Sequence, residues 1–283
     1  MQSTKKSNKR VYPLTIIKRL LFVIIISYLL ICALLYLFQR KLEYVPGGVL
    51  KAPKDYGIYD ISHETLISYD DVELSLWYGL PKNERKEIIV YFHGNAGNLG
   101  DRAEKLKIFS KYIDYGIAAL SYRGYPGSGG SPSEDAFIKD AEWLIKFLES
   151  QNYKIENMIF YGESLGAAIA IRMADKYSAK ALILEAPFLS ATKVAQKTYW
   201  YVPVNLLMKD KYESYRYMAN IKSPTLIFHG TKDAITPVTH SRELFSLLPK
   251  GDHKKIEVKG AGHLEFDEYF LIKEIVAFIA ATN

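Results

Sequence analysis

With 283 residues, 49% of them apolar, the chain can bury a sizeable core, and it carries no repeat or low-complexity stretch, so it is neither disordered nor fibrous. Its formal charge of +6 would ordinarily raise the question of nucleic acid, yet Lys5, Lys6, Lys9, Arg10, Lys18 and Arg19 carry that much charge within the first 19 residues, which hold no acid. The remainder balances 31 basic against 31 acidic residues, which excludes a nucleic-acid-binding footprint, and the single cysteine, Cys32, leaves no disulfide or cysteine-based zinc site elsewhere.

The basic tail, residues 1–19, is followed by residues 20–38, LLFVIIISYLLICALLYLF, a run of 19 residues without a charge. At about 1.5 Å per residue this run matches the roughly 30 Å hydrocarbon core of a bilayer. A cleaved secretory signal would have a shorter apolar run and a small-residue cleavage pattern; Gln39, Arg40 and Lys41 stand there instead. The run is therefore read as an uncleaved single-pass anchor. Its basic flank is expected to stay cytoplasmic and to place the C-terminal domain on the far side of the membrane. Val45-Pro46-Gly47-Gly48 and Pro53 give residues 39–55 the composition of a linker, so the domain proper is expected over residues 56–283.

Short β-branched runs then alternate with helical periodicity, which predicts an α/β fold with a mostly parallel sheet of about eight strands and helices on both faces. The strands are expected at residues 64–68, 73–79, 88–92, 117–121, 158–161, 181–184, 225–228 and 255–258. Helices are expected at residues 99–115, 134–149, 165–177, 239–248 and 268–280. The first two strands lie too close for a helix between them and should form an antiparallel edge. Residues 193–217 are aromatic-rich and leave the alternation, so a small cap is expected over about residues 187–220.

Four patterns sit where strands end, the place where open α/β sheets bind ligands. Gly162-Glu163-Ser164-Leu165-Gly166, between a strand and a helix, reads as a nucleophile elbow. A serine hydroxyl needs a base and a group that orients the base. His263, in the turn Gly260-Ala261-Gly262-His263, is the best base among the six histidines, and Asp233, in His229-Gly230-Thr231-Lys232-Asp233, is the acid, in the order Ser, Asp, His. Asp233 alone would read as a turn cap, and Asp267 is a weaker rival that starts the last helix. His63-Glu64 opens like a zinc motif, but Ile67 stands where its second histidine belongs. His240 and His253 are expected to be exposed.

In His93-Gly94-Asn95-Ala96-Gly97-Asn98 the backbone N–H of Asn95 is the expected oxyanion donor, together with that of Leu165; His93 is expected to serve the loop's structure. The segment from Tyr122 to Glu134 is glycine-rich but lacks a phosphate-loop ending. It is read as a rigid turn, with Arg123 in local hydrogen bonds and Ser131 or Ser133 capping the next helix.

These motifs resemble the α/β-hydrolase superfamily over residues 56–283, and more narrowly the serine aminopeptidase-like hydrolases that carry one N-terminal transmembrane helix. That group is similar to membrane-associated acyl-protein thioesterases, whose cytosolic members are held by a lipidated cysteine-rich N-terminus where this chain has an apolar segment. The resemblance implies Ser164, Asp233 and His263 as a triad, with Asn95 and Leu165 as donors. The expected function is ester or thioester hydrolysis of a small or lipid-like acyl substrate through an acyl-enzyme, without metal or organic cofactor. A serine peptidase and a membrane-tethered binding protein on the same fold are the alternatives.

Overall fold

The computed structural model describes residues 13–282. The chain divides into two units between Gln39 and Arg40. Helix α1 (Pro13–Glu43) accounts for the described part of the first. It is long and apolar enough to cross a membrane, and 6% of its most apolar window is buried. Of the expected basic tail, Lys5, Lys6, Lys9 and Arg10 lie outside the described residues, whereas Lys18 and Arg19 are helical. The helix thus exceeds the apolar run at both ends. Apolarity limits what a bilayer accepts, but lysine, arginine, glutamine and glutamate continue a helix well.

The second unit opens with a correction. Residues 44–47, expected as linker, belong to the folded domain: strand β1 (Val45–Pro46) pairs in parallel with Ala96–Gly97, and Tyr44 is 3% exposed. There follow β2 (Ser62–Ile67), β3 (Glu73–Gly79), β4 (Ile88–Phe92) and β5 (Ala96–Gly97), then α2 (Ala103–Tyr112), β6 (Gly116–Leu120), α3 (Glu134–Ser150) and β7 (Met158–Glu163). Next come α4 (Leu165–Lys176), β8 (Ala181–Glu185), α5 (Ala191–Thr198), α6 (Val204–Leu207), β9 (Thr225–Gly230), α7 (Thr239–Leu247), β10 (His253–Val258) and α8 (Glu268–Ala281).

Eight strands form one sheet in the order β10-β9-β8-β7-β4-β6-β3-β2. It is parallel except at β2 and β3, which form the expected antiparallel edge against β6. Strand alternation splits the core between the two faces. Val90, Phe92, Phe160 and Leu184 pack with α3 and α4 through Phe137, Leu144 and Ile169. Ile89, Tyr91, Ile183 and Phe228 pack with α2 and α8 through Leu106, Phe109 and Ile275. Each such side chain, removed from water, contributes about 1.5–3 kcal/mol. The central strands are buried on both faces, which is why they read as continuous apolar runs. The candidate site residues follow the C-terminal ends of β4, β7 and β9 and of the edge strand β10.

Candidate active site

Strand β7 ends at Glu163 and α4 begins at Leu165, which leaves Ser164 alone in the turn at φ +49° and ψ −109°. A non-glycine residue in that region costs about 1–3 kcal/mol and persists only where its surroundings enforce it. Here the flanking glycines allow the enforcement. A Cβ on Gly162 would stand 2.3 Å from Gly166 O, and one on Gly166 would stand 2.0 Å from Phe92 O. The Ser164 N–H donates to Glu185 O at 2.9 Å, pinning the turn to β8.

His263 and Asp233 come from the loops after β10 and β9, which fit together because Gly230 lacks a side chain: a Cβ there would meet Gly262 O at 2.3 Å. The structure brings the three expected residues together. His263 Nδ1 lies 2.7 Å from Asp233 Oδ2, and His263 Nε2 lies 3.0 Å from Ser164 Oγ. A carboxylate only accepts, so Nδ1 carries the proton and the Nε2 lone pair faces the serine hydroxyl. Asp233 Oδ1 accepts from the backbone N–H groups of Ile235 at 2.9 Å and Thr236 at 2.8 Å, and Oδ2 accepts from Thr236 Oγ1 at 2.8 Å. Burial pushes the Asp233 carboxyl up, but hydrogen bonds from His229, His263 and Thr236 outweigh it and hold the group well below the usual carboxylate range. It is a fixed negative charge beneath the imidazole.

Two residues of this arrangement were not singled out from sequence. Thr236 bonds Asp233 through its amide and hydroxyl, and fully buried His229 donates from Nε2 to Thr236 O at 2.7 Å while lying 3.3 Å from Asp233 Oδ2. A partial signal was present, because an aspartate in a turn commonly closes it by accepting from the backbone two residues on, as Asp233 does from Ile235. Asp267, the rival acid, caps α8 by accepting from Phe270 N at 2.8 Å. Ser133 caps α3 by accepting from Ala136 N at 3.3 Å.

The loop after β4 lies against the elbow, since the Cβ imagined on Gly166 would also stand 2.7 Å from His93 O. His93 is fully buried, with Nδ1 2.7 Å from Gly94 O and its ring 4.1 Å from that of Tyr122. Burial, with Arg102 nearby, pushes its pKa down to about 3, so it is a neutral part of the loop. The backbone N–H groups of Asn95 and Leu165 have no acceptor among the described residues.

Several expectations are corrected. Arg123 is not held locally: Nε and Nη2 donate to Asp140 on α3 at 2.6 and 2.5 Å, and Nη1 donates to Asp70, before β3, at 2.9 Å. His240 and His253 are half-buried rather than exposed, and His253 begins β10. In the cap, Trp200 and Leu206 are 78% and 80% exposed while Val202 and Val204 are buried. The cap stays close to the acid loop, with Lys197 Nζ donating to Ala234 O at 2.8 Å.

Beneath the elbow lies a buried ionic cluster. Lys105 on α2 donates to Glu163 at 2.5 Å and to both oxygens of Glu185 at 2.8 and 2.9 Å. Arg102 donates from Nε to Glu163 at 3.3 Å, Tyr91 donates to Glu163 at 2.5 Å, and Tyr161 donates to Glu185. Glu268 stands at the rim, its Oε2 3.9 Å from Lys105 and without a hydrogen-bond partner among the described residues. Burial, opposed by Lys105 and reinforced by Glu185 and Glu163, pushes its pKa up to about 7. A folded-state pKa above the unfolded one means that the native protein binds more protons between about pH 4.3 and 7, so stability falls as pH rises through that window. Glu268→Gln is expected to flatten this dependence and to raise Tm at pH 8. Thermal melts at pH 5 and 8 check it, and an unchanged pH slope refutes it.

Comparison with known proteins places the chain among the hydrolases. Residues 83–210 match the family described as serine aminopeptidase, S33. The chain is 31% identical over 242 residues to an uncharacterized membrane protein of Saccharomyces cerevisiae, covering 82% of this chain and 84% of that one. It is also 31% identical over 238 residues to an alpha/beta hydrolase domain-containing protein of Arabidopsis thaliana, covering 76% and 77%. Among solved structures, an esterase of Pyrococcus furiosus shares the fold with a TM-score of 0.68 at 19% identity, over 84% of this chain and 97% of that one. The chain belongs to the α/β-hydrolase superfamily.

Proposed function

We propose that the protein is a membrane-anchored serine hydrolase that cleaves carboxylic ester or thioester bonds, with Ser164 as nucleophile, His263 as general base and Asp233 as the orienting acid. The observation that carries this reading is the continuous path from Ser164 Oγ to His263 Nε2 at 3.0 Å and from His263 Nδ1 to Asp233 Oδ2 at 2.7 Å, with the serine on a strained turn. Ser164 Oγ attacks the acyl carbon while its proton passes to Nε2, and the oxyanion takes the backbone N–H groups of Asn95 and Leu165. Collapse expels the alcohol or thiol with the proton from Nε2. Water, activated by the same nitrogen, then releases the acid and restores Ser164.

Membrane attachment through α1 and an acyl substrate fit together, because the anchor would hold the domain where lipid-derived esters are concentrated. The basic N-terminus would be cytoplasmic and the domain on the other side. A peptidase reading draws support from the family match alone. The test uses the full chain in detergent. A fluorophosphonate probe should label the wild type and not Ser164→Ala, and p-nitrophenyl esters of increasing chain length should turn over faster than aminoacyl anilides. Absence of labelling overturns the nucleophile, and faster anilide cleavage overturns the substrate class.

A further inference from the structure

Residues 40–47, one position beyond the apolar run, make more bonds to the loop carrying Asn95 than a spacer needs. The Asn95 side chain is held at both ends. Its Nδ2 donates to Glu43 O at 2.6 Å, and its Oδ1 accepts from Tyr125 OH at 2.7 Å. The next residues of the loop are held too. Ala96 and Gly97 pair with Val45 and Pro46, Gly47 N donates to Gly97 O at 3.0 Å, and Asn98 Nδ2 donates to Gly47 O at 2.7 Å. Segment 40–47 is itself fastened to the cap. Arg40 binds Asp210 with two hydrogen bonds of 2.7 and 3.1 Å, and Tyr44 OH lies 2.8 Å from the hydroxyl of buried Tyr212, both partners being cap residues. From the other direction, Arg102 Nη1 donates to Ala96 O at 2.9 Å while its Nε reaches Glu163, the neighbour of Ser164.

We propose that residues 43–47 are a working part of the active site: they fix the Asn95 backbone N–H against the elbow, with the Asn95 side chain and Tyr125 as positioning groups. This rests on the assignment of Ser164 as nucleophile. An oxyanion donor accelerates acyl transfer only if it already stands where the charge develops, and a loop with glycines at positions 94 and 97 would otherwise sample many arrangements. The clamp removes that freedom. It also makes the segment that follows the apolar run a determinant of rate rather than of location alone.

The test compares wild type, Ser164→Ala, Asn95→Ala, Tyr125→Phe and the Asn95→Ala/Tyr125→Phe double variant, all as full chains in detergent. Saturation labelling with a fluorophosphonate counts competent sites, and turnover of p-nitrophenyl butyrate per labelled site gives kcat free of any unfolded fraction. Asn95→Ala keeps its backbone N–H but loses both anchors, so kcat is expected to fall about 10- to 100-fold with KM within about twofold, less than the ~10²–10³-fold loss of a whole donor. Tyr125→Phe, which keeps the ring and loses the hydroxyl's bond to Asn95, should fall about 3- to 10-fold. Because Tyr125 acts through Asn95, the double variant should be no slower than Asn95→Ala. Unchanged kcat per labelled site, a change in KM alone, or multiplicative effects in the double variant each overturn the clamp. A wild type that does not label, or labelling that survives Ser164→Ala, overturns the nucleophile and the clamp with it.

Discussion

His263→Ala is expected to lower kcat for a p-nitrophenyl ester by about 10⁴-fold or more while KM changes little. The magnitude follows from the bonds around the ring. Among the described residues the proton acceptor of Ser164 Oγ is His263 Nε2 at 3.0 Å, and a neutral hydroxyl without a base is a weak nucleophile. Alanine leaves the elbow, the expected donors and the acid loop in place, so substrate binding survives and the loss falls on the chemical steps. Asp233→Asn should approach the same loss by another route. An amide facing Nδ1 no longer fixes which ring nitrogen carries the proton, and the negative charge beneath the developing imidazolium is gone. Steady-state kinetics on purified full-length variants checks both. A kcat for His263→Ala within tenfold of wild type would sink the assignment of the base.

Lys105→Met is expected to be the most destabilising single change outside the hydrophobic core. Lys105 is the cation between Glu163 and Glu185, which are 2% and 0% exposed. Removing one partner of a buried ionic group strands the charge that remains and costs about 3–5 kcal/mol. For a domain of this size that corresponds to a fall in Tm of roughly 10 °C, since each kcal/mol shifts Tm by about 2–4 °C. The pH dependence has a definite sign. Burial would raise Glu163, but Lys105 and Arg102, with hydrogen bonds from Lys105 and Tyr91, hold it down at about 2. A carboxyl depressed below its unfolded value of about 4.3 contributes fully above that pH and loses its contribution as pH falls toward 2. The wild type should therefore lose stability through this acid window, and Lys105→Met should lose less across it because Glu163 has less depression to give up. Thermal melts between pH 2.5 and 7 test both statements, and a Tm within about 2 °C of wild type at pH 7 would refute the first.

Much of this was legible in the sequence, for identifiable reasons. The central strands could be placed because their apolar runs are continuous and bounded by turns, and the elbow because glycine, serine and glycine stand between a strand and a helix. Asp233 and His263 could be paired because both follow strands in glycine-rich turns. What stayed hidden has no local signature. The pairing of Val45–Pro46 with Ala96–Gly97 is two residues long, and its Pro-Gly-Gly composition reads as a linker. Arg123 is fixed by Asp70 and Asp140, 53 and 17 positions away, so its partners depend on tertiary packing. Lys105 occupies a helix where a lysine normally signals solvent, and nothing in its neighbours in sequence announces two carboxylates from adjacent strands. Thr236 and His229 were within reach of a closer reading of the turn around Asp233.

The single cysteine, placed in α1, has a practical corollary for the site far from it in sequence. From Arg40 onward the chain contains no sulfhydryl, and Cys32 is buried at 9% exposure within the apolar helix. Ser164→Cys would therefore put the domain's sole thiol on the elbow itself. A water-soluble disulfide reagent would then report one titration curve without background, and its midpoint would measure how strongly the imidazole and the helix end draw a proton from that position.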